Sequence, residues 1–140
     1  VVCVKEVLDP DAVGAYAVAG GLVIGEDGRS LTQTTIPRLM NAYDEQAIEA
    51  VLRLRDAGVD VKLTVVAVGA RGTDMLKHAL SLGADEVVHI PGDAAALDCF
   101  AIATIIAAYV RKSGGADLVL CGRQASDDDQ GVVDAYVNVF

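Results

Sequence analysis

The sequence predicts a three-layer α/β fold built on a mostly parallel sheet. Three observations carry that prediction. Short β-branched apolar runs alternate with segments of helical period, glycines punctuate the junctions, and the composition is 53% hydrophobic but only 4% aromatic with no Trp. Small aliphatic side chains suit thin strands packed between helices, and alternating strand and helix points to right-handed crossovers and parallel pairing. At 140 residues the chain is the size of one domain with one core.

The opening "VVCVKEVLDP" reads as a single buried strand closed by an Asp-Pro turn, its carboxyl end near Lys5 to Asp9. Residues 12 to 40 depart from the pattern. In "LVIGEDGRSLTQTT", Glu26-Asp27-Gly28 separates two short strand-like runs, which predicts a hairpin outside the main sheet. At "MNAYDEQAIEAVLRLRDAG" the period becomes helical. Asn41 is a suitable N-cap, Asp44 completes a box-like start, Ala47, Ile48, Val51, Leu52 and Leu54 share a broad apolar face, and Gly58 ends the helix. "KLTVVAVG" is a second strand, "TDMLKHALSLG" a helix capped by Thr73 and stopped by Gly83, and "EVVHI" a third strand. A nearly all-apolar helix is predicted over about 94 to 112, followed by the strand "DLVLCG" and a helix starting at about Gly131.

Charge and cysteine usage narrow the function. Eleven basic and twenty acidic residues give a net charge of -9, which opposes non-specific binding to nucleic acid or anionic membranes and requires any phosphate ligand to be held by local geometry. Cys3, Cys99 and Cys121 form no C-x-x-C pair and lie in apolar surroundings, so they read as small core residues in a reducing compartment rather than a disulfide framework, zinc site or nucleophile. Lys5 and Glu6 interrupt the first apolar run, so neither a signal peptide nor a membrane insertion is expected. His78, within a helix, and His89, within a strand, read as structural.

In a parallel sheet, ligands sit beyond the carboxyl ends of the strands. Four segments end there: Cys3 to Asp9, Asn41 to Asp44, Val68 to Thr73 and Gly122 to Gly131. In "CGRQASDDDQG", Gly122 permits close backbone approach and Arg123 offers positive charge. The carboxylates can accept hydrogen bonds from ribose or loop N–H groups, or ligate a cation; a solvated acidic loop is the competing reading. "GARG", residues 69 to 72, reads as a tight turn before a phosphate nest. Neither G-x-G-x-x-G after the first strand nor G-x-x-x-x-G-K-[ST] occurs, and no acid/base set stands out, which disfavours a dehydrogenase, a P-loop NTPase or a small-molecule enzyme.

Three stretches in order, "VVCVKEVLDPD", "MNAYDEQAIEAVLRLRD" and "ADLVLCGRQASDDDQG", joined by "ALSLGADEVVHI", resemble the β subunit of electron transfer flavoprotein over nearly the whole chain. The resemblance implies the N-terminal part of such a subunit, a single adenine-nucleotide-binding domain of Rossmann-like, adenine-nucleotide alpha-hydrolase-like fold whose C-terminal portion lies beyond Phe140. It implies an α-subunit partner carrying the redox-active FAD and electron flow from dehydrogenases to a quinone reductase or other acceptor. It further implies AMP, or in bifurcating members a second FAD reduced by NADH, in this subunit. The implied location is the bacterial cytoplasm or the mitochondrial matrix.

Carried over by motif, the nucleotide contacts are Cys3, then Asn41, Ala42, Tyr43 and Asp44, then Val68 and Gly69. The last group is Gly122, Arg123, Gln124, Ala125, Asp127, Asp129, Gly131 and Val132. The family has further residues between the last Asp and the helix, whereas here Asp129 runs straight into "QGVV" and shortens the phosphate end of the loop. "VVDAYVNVF" also departs from the small-residue helix pattern of the family. A stand-alone regulator resembling universal stress proteins shares the architecture, but its paired-glycine motif after the fourth strand is missing here.

Overall fold

In the computed structural model, which describes residues 1–28, 30–32, 35–93, 96–127 and 129–137, four parallel strands form the central sheet. They are β1 (Val2–Val4), β4 (Thr64–Gly69), β5 (Glu86–Pro91) and β6 (Leu120–Cys121), in spatial order β5-β4-β1-β6. From β1 the chain steps outward through α2 (Ala42–Asp56) to β4 and through α3 (Thr73–Leu82) to β5. It then returns across the sheet through α4 (Cys99–Lys112) to pair β6 with the other side of β1. Right-handed crossovers running in opposite directions place α2 and α3 on one face and α4 on the other, giving three layers.

Side-chain alternation along the strands sorts the core between those faces. Val2, Val4, Val65 and Ala67 pack with Ala47, Ile48 and Val51 of α2 and Met75, Leu76 and Ala79 of α3. Full burial of Ile48, Leu63 or Val65 stabilises the fold by about 1.5–3 kcal/mol each. Cys3 and Val66, which pair in register, belong to the opposite set, on the side of α4, whose Ala103, Ile106 and Ala107 are buried.

The first strand is shorter than the sequence predicts. β1 ends at Val4, and Glu6–Leu8 forms β2, which pairs antiparallel with β3 (Arg38–Met40) in a separate two-stranded sheet. Between them lies α1 (Pro10–Val18), started by Pro10 and by the Asp9 carboxylate, which accepts hydrogen bonds from the N–H groups of Asp11 and Ala12. Among the described residues, the expected hairpin is reduced to one antiparallel bridge, Ile24 to Leu31, around the turn at Glu26 and Asp27.

Helix boundaries also shift. α3 begins at Thr73 with Gly72 in the cap position, so Thr73 is not its cap. α4 begins at Cys99, where Asp98 accepts from the Ala101 N–H at 2.7 Å; residues 94 and 95 of the longer predicted helix lie outside the described residues. On α2, Leu54 is 41% exposed rather than on the buried face. Gly58 and Gly83 do terminate their helices, each with positive φ (89° and 122°). α5 (Val133–Val137) is the last described element, and 138–140 of the divergent end lie outside it.

Candidate functional site

The strand order reverses between β1 and β6, and ligand crevices open at such switch points beyond the strand carboxyl ends. A cleft of about 750 Å³ opens there. Its apolar floor runs from Cys3 and Val66 to Ile102 and Ile106 of α4, and its polar rim includes Lys5, Asn41, Asp44, Gly122, Gln124 and Gln130.

Two buried polar side chains at the start of α2 hold this rim together. Asn41 is 1% exposed and Asp44 is 5% exposed. Asn41 sits at the cap position of α2, yet its side chain makes no cap hydrogen bond. Instead its Nδ2 donates to the Gln124 carbonyl at 2.8 Å, and its Oδ1 accepts from the Ser126 N–H at 3.3 Å. Asp44 does not reach back to complete a capping box either. Its Oδ2 accepts from the Lys5 N–H at 2.8 Å and its Oδ1 from the Gly122 N–H at 3.1 Å, while the Asn41 N–H donates to the Lys5 carbonyl. The strands leave unpaired N–H groups at their carboxyl ends, and those donors compete successfully for acceptors that local sequence assigns to the helix.

Burial pushes the Asp44 carboxyl up to about 6, because removal from water disfavours the charged form. Hydrogen bonds from Lys5, Asn41 and Gly122 and the nearby Lys5 charge offset part of that cost. Gly122 is required by the same packing, since a Cβ there would lie 2.8 Å from the Asp44 nitrogen and the Tyr43 carbonyl carbon. A side chain at Gly131, with φ of 56°, would come 2.6 Å from the Arg123 carbonyl oxygen. The chain therefore doubles back on itself at the closing end of the loop.

Asp127 and Asp129, which follow Gly122, both have partners within the protein. Asp127 pairs with Lys5 at 2.8 Å, and Asp129 accepts from Gln124 Nε2 at 2.9 Å. Asp129 also adopts a left-handed conformation with φ of 53°, tolerated because a short acidic side chain can hydrogen-bond locally. Asp128 lies outside the described residues.

Of the sequence-predicted contacts, Cys3, Asn41, Asp44, Val68 and Gly69 line the cleft, as do Gly122, Gln124, Ala125, Gly131 and Val132. Ala42, Tyr43, Arg123, Asp127 and Asp129 do not. Tyr43 stands behind the loop, its hydroxyl accepting from Gln124 Nε2 at 3.4 Å, and the Arg123 side chain is exposed.

Lys5, Arg38 and Arg71 are further rim residues: Lys5 and Arg71 fall within the segments that the sequence singles out without being named as contacts, and Arg38 falls outside them. Arg38 lies 3.8 Å from Glu6, and Arg71 engages no carboxylate among the described residues. Arg71 precedes α3, whose N-terminus carries no side-chain cap, so positive charge and unpaired N–H groups adjoin the "GARG" turn. That run was the available signal. His89 has the structural role expected, with Nε2 donating to the Gly69 carbonyl at 2.8 Å. No group of three or more metal-ligating side chains occurs among the described residues.

Fold and cleft together define a three-layer α/β domain with its candidate site at the strand-order switch. The electron transfer flavoprotein domain matches residues 30–135, and the chain belongs to the electron transfer flavoprotein family, with β-subunit relatives. It is 33% identical over 137 residues to the electron transfer flavoprotein subunit beta of Syntrophomonas wolfei, covering 97% of this chain and 50% of that protein. Identity to the corresponding subunit of Megasphaera elsdenii is 31% over 136 residues, 91% of this chain and 47% of that one. The caffeyl-CoA reductase-Etf complex subunit CarD of Acetobacterium woodii is 30% identical over 138 residues, 97% and 49% respectively. The chain thus spans about half the length of these curated relatives.

Proposed function

We propose that residues 1–140 form the adenine-nucleotide-binding domain of an electron transfer flavoprotein β subunit, with the nucleotide in the cleft between β1 and β6. The observation that carries this reading is the buried Asn41–Asp44 pair, which fastens the backbone of 122–126 beside the strand ends and leaves an apolar floor under a polar rim. Such a combination suits a flat base attached to a polar tail. Lys5 and Arg38 moderate the acidic rim, and Arg71 adds positive charge for an anionic ligand.

The nucleotide is AMP or FAD. AMP contributes structure alone, whereas FAD supplies an electron-accepting ring. In the same proposal an α subunit carries the redox-active FAD, and the complex passes electrons from dehydrogenases to a quinone reductase or other acceptor, in the bacterial cytoplasm or the mitochondrial matrix. No helix among the described residues is long and apolar enough to cross a membrane.

The test is release of nucleotide from the complete subunit with its partner by denaturation, followed by chromatographic counting. One FAD and one AMP per complex supports a structural nucleotide; two FAD and no AMP supports a second flavin here; a complex with only one FAD overturns nucleotide binding by this domain. Asp129→Ala, which removes the acceptor of Gln124, is expected to weaken nucleotide retention about tenfold, or roughly 1.4 kcal/mol.

A further inference from the structure

Cys3 and Cys121 are far apart in sequence, yet they sit directly across from each other in the parallel pairing of β1 with β6. Side chains in register on neighbouring parallel strands point to the same face, here the face that lines the cleft. Neighbouring strands are spaced about 4.8 Å apart, within the roughly 4.4–6.8 Å between Cα atoms that a disulfide spans. We propose that Cys3 and Cys121 form a redox-active dithiol on the floor of the cleft, converted by a small-molecule disulfide into an interstrand disulfide that ties β1 to β6.

The two sulfurs have unequal roles. Cys121 is partly exposed and Cys3 is 7% exposed, so the oxidant meets Cys121 first. A hydrogen bond from the Cys3 thiol favours the Cys121 thiolate, and the same bond, with burial, holds Cys3 protonated. The Cys121 thiolate attacks one sulfur of the oxidant; the S–S bond breaks, and one thiol leaves with the proton shed by Cys121. Capping Cys121 removes the thiolate that held the Cys3 proton, which raises the acidity of Cys3. The Cys3 sulfur then attacks the Cys121 sulfur, and the second thiol departs with the Cys3 proton. Two protein thiols are oxidised and one external disulfide is reduced to two thiols.

β6 pairs with β1 at only two positions, so the crosslink would act on the weakest junction of the sheet, directly before the Gly122 loop. Cys99 has no such neighbour: its Sγ lies against Gln130 Oε1 at 3.4 Å at the start of α4. It serves as the internal control.

The complete subunit, as purified and after charcoal removal of nucleotide, is incubated with mixtures of oxidised and reduced glutathione, quenched by alkylation and digested with trypsin without reduction. The expected product joins the peptide ending at Lys5 to Ser113–Arg123, two hydrogens lighter than the pair, ahead of any adduct on Cys99. Cys3→Ser is expected to leave Cys121 as a lasting glutathione adduct, at least about tenfold more abundant than in the wild type. A wild-type protein that stops at the Cys121 adduct, or whose two thiols stay unreacted in both preparations, overturns the proposal. So does oxidation of Cys99 before the pair.

Discussion

The segment from Asp9 to Pro37 and the segment from Gly122 to Gly131 invert the usual relation between regular structure and fixed structure. The first contains α1, with a proline start and an Asp9 cap, yet no residue of that helix is buried. Val18 is 92% exposed, and Val23 and Ile24 are more than half exposed. Among its described residues the second has no helix or strand, yet Ala125 is 6% exposed and the N–H groups of Gly122 and Ser126 are held by side chains from the core. Local capping makes a helix; only attachment to buried groups positions a segment for function.

The largest effect that would sharpen this contrast is expected from Gly122→Ala. The added methyl meets the Asp44 nitrogen and the Tyr43 carbonyl carbon, both backbone atoms, so relief requires displacing α2 or the loop. A loss of about 3–4 kcal/mol in urea unfolding is expected. A loss below about 1 kcal/mol would show that the loop is not held against α2. Asn41→Ala should follow at about 2–3 kcal/mol, since the Gln124 carbonyl and Ser126 N–H both lose their buried partner. A near-neutral result would make the loop as independent as α1.

Asp44 adds a dependence on pH. Its folded-state value of about 6 lies above the ordinary 3.8, so the folded protein holds this proton more tightly than the unfolded chain does. The contribution of Asp44 is therefore most favourable below about pH 4, falls as pH rises toward about 6, and is level above that. The expected decline is about 2 kcal/mol, read as the difference between wild type and Asp44→Asn across that interval. Parallel stability curves for the two proteins would refute it. The smallest effect belongs to the other region: Val18→Ser should change stability by no more than about 0.5 kcal/mol. A loss above about 1 kcal/mol would mean that α1 packs against something in solution and would break the comparison.

Legibility followed the range of the forces involved. "KLTVVAVG" was readable as a strand because its β-branched run reports burial between layers, and "EVVHI" because its β-branched residues favour extended backbone although none of its residues is fully buried; Gly58 and Gly83 were readable as stops because each needs a backbone that other residues resist. The break of "VVCVKEVL" into β1 and β2 was not readable, since both halves are apolar and nothing local says that they join different sheets. The candidate site was readable as four segments, and ten of its fifteen predicted residues line the cleft. Lys5 and Arg71 lay within two of those segments without being named, and Arg38 lay outside them, because a basic residue's role at the rim depends on neighbours that only the fold supplies.

The sequence by itself determined the α/β class, the alternation of elements, the family resemblance and the glycine-bounded acidic loop, because these rest on periodicity, composition and motif. Tertiary structure alone decided that Asn41 and Asp44 serve strand ends rather than a helix cap. It also decided that Asp127 turns to Lys5, and that Cys3 meets Cys121. Each of those outcomes is a competition for hydrogen-bond partners or a strand register, settled only when segments distant along the chain come within a few ångströms.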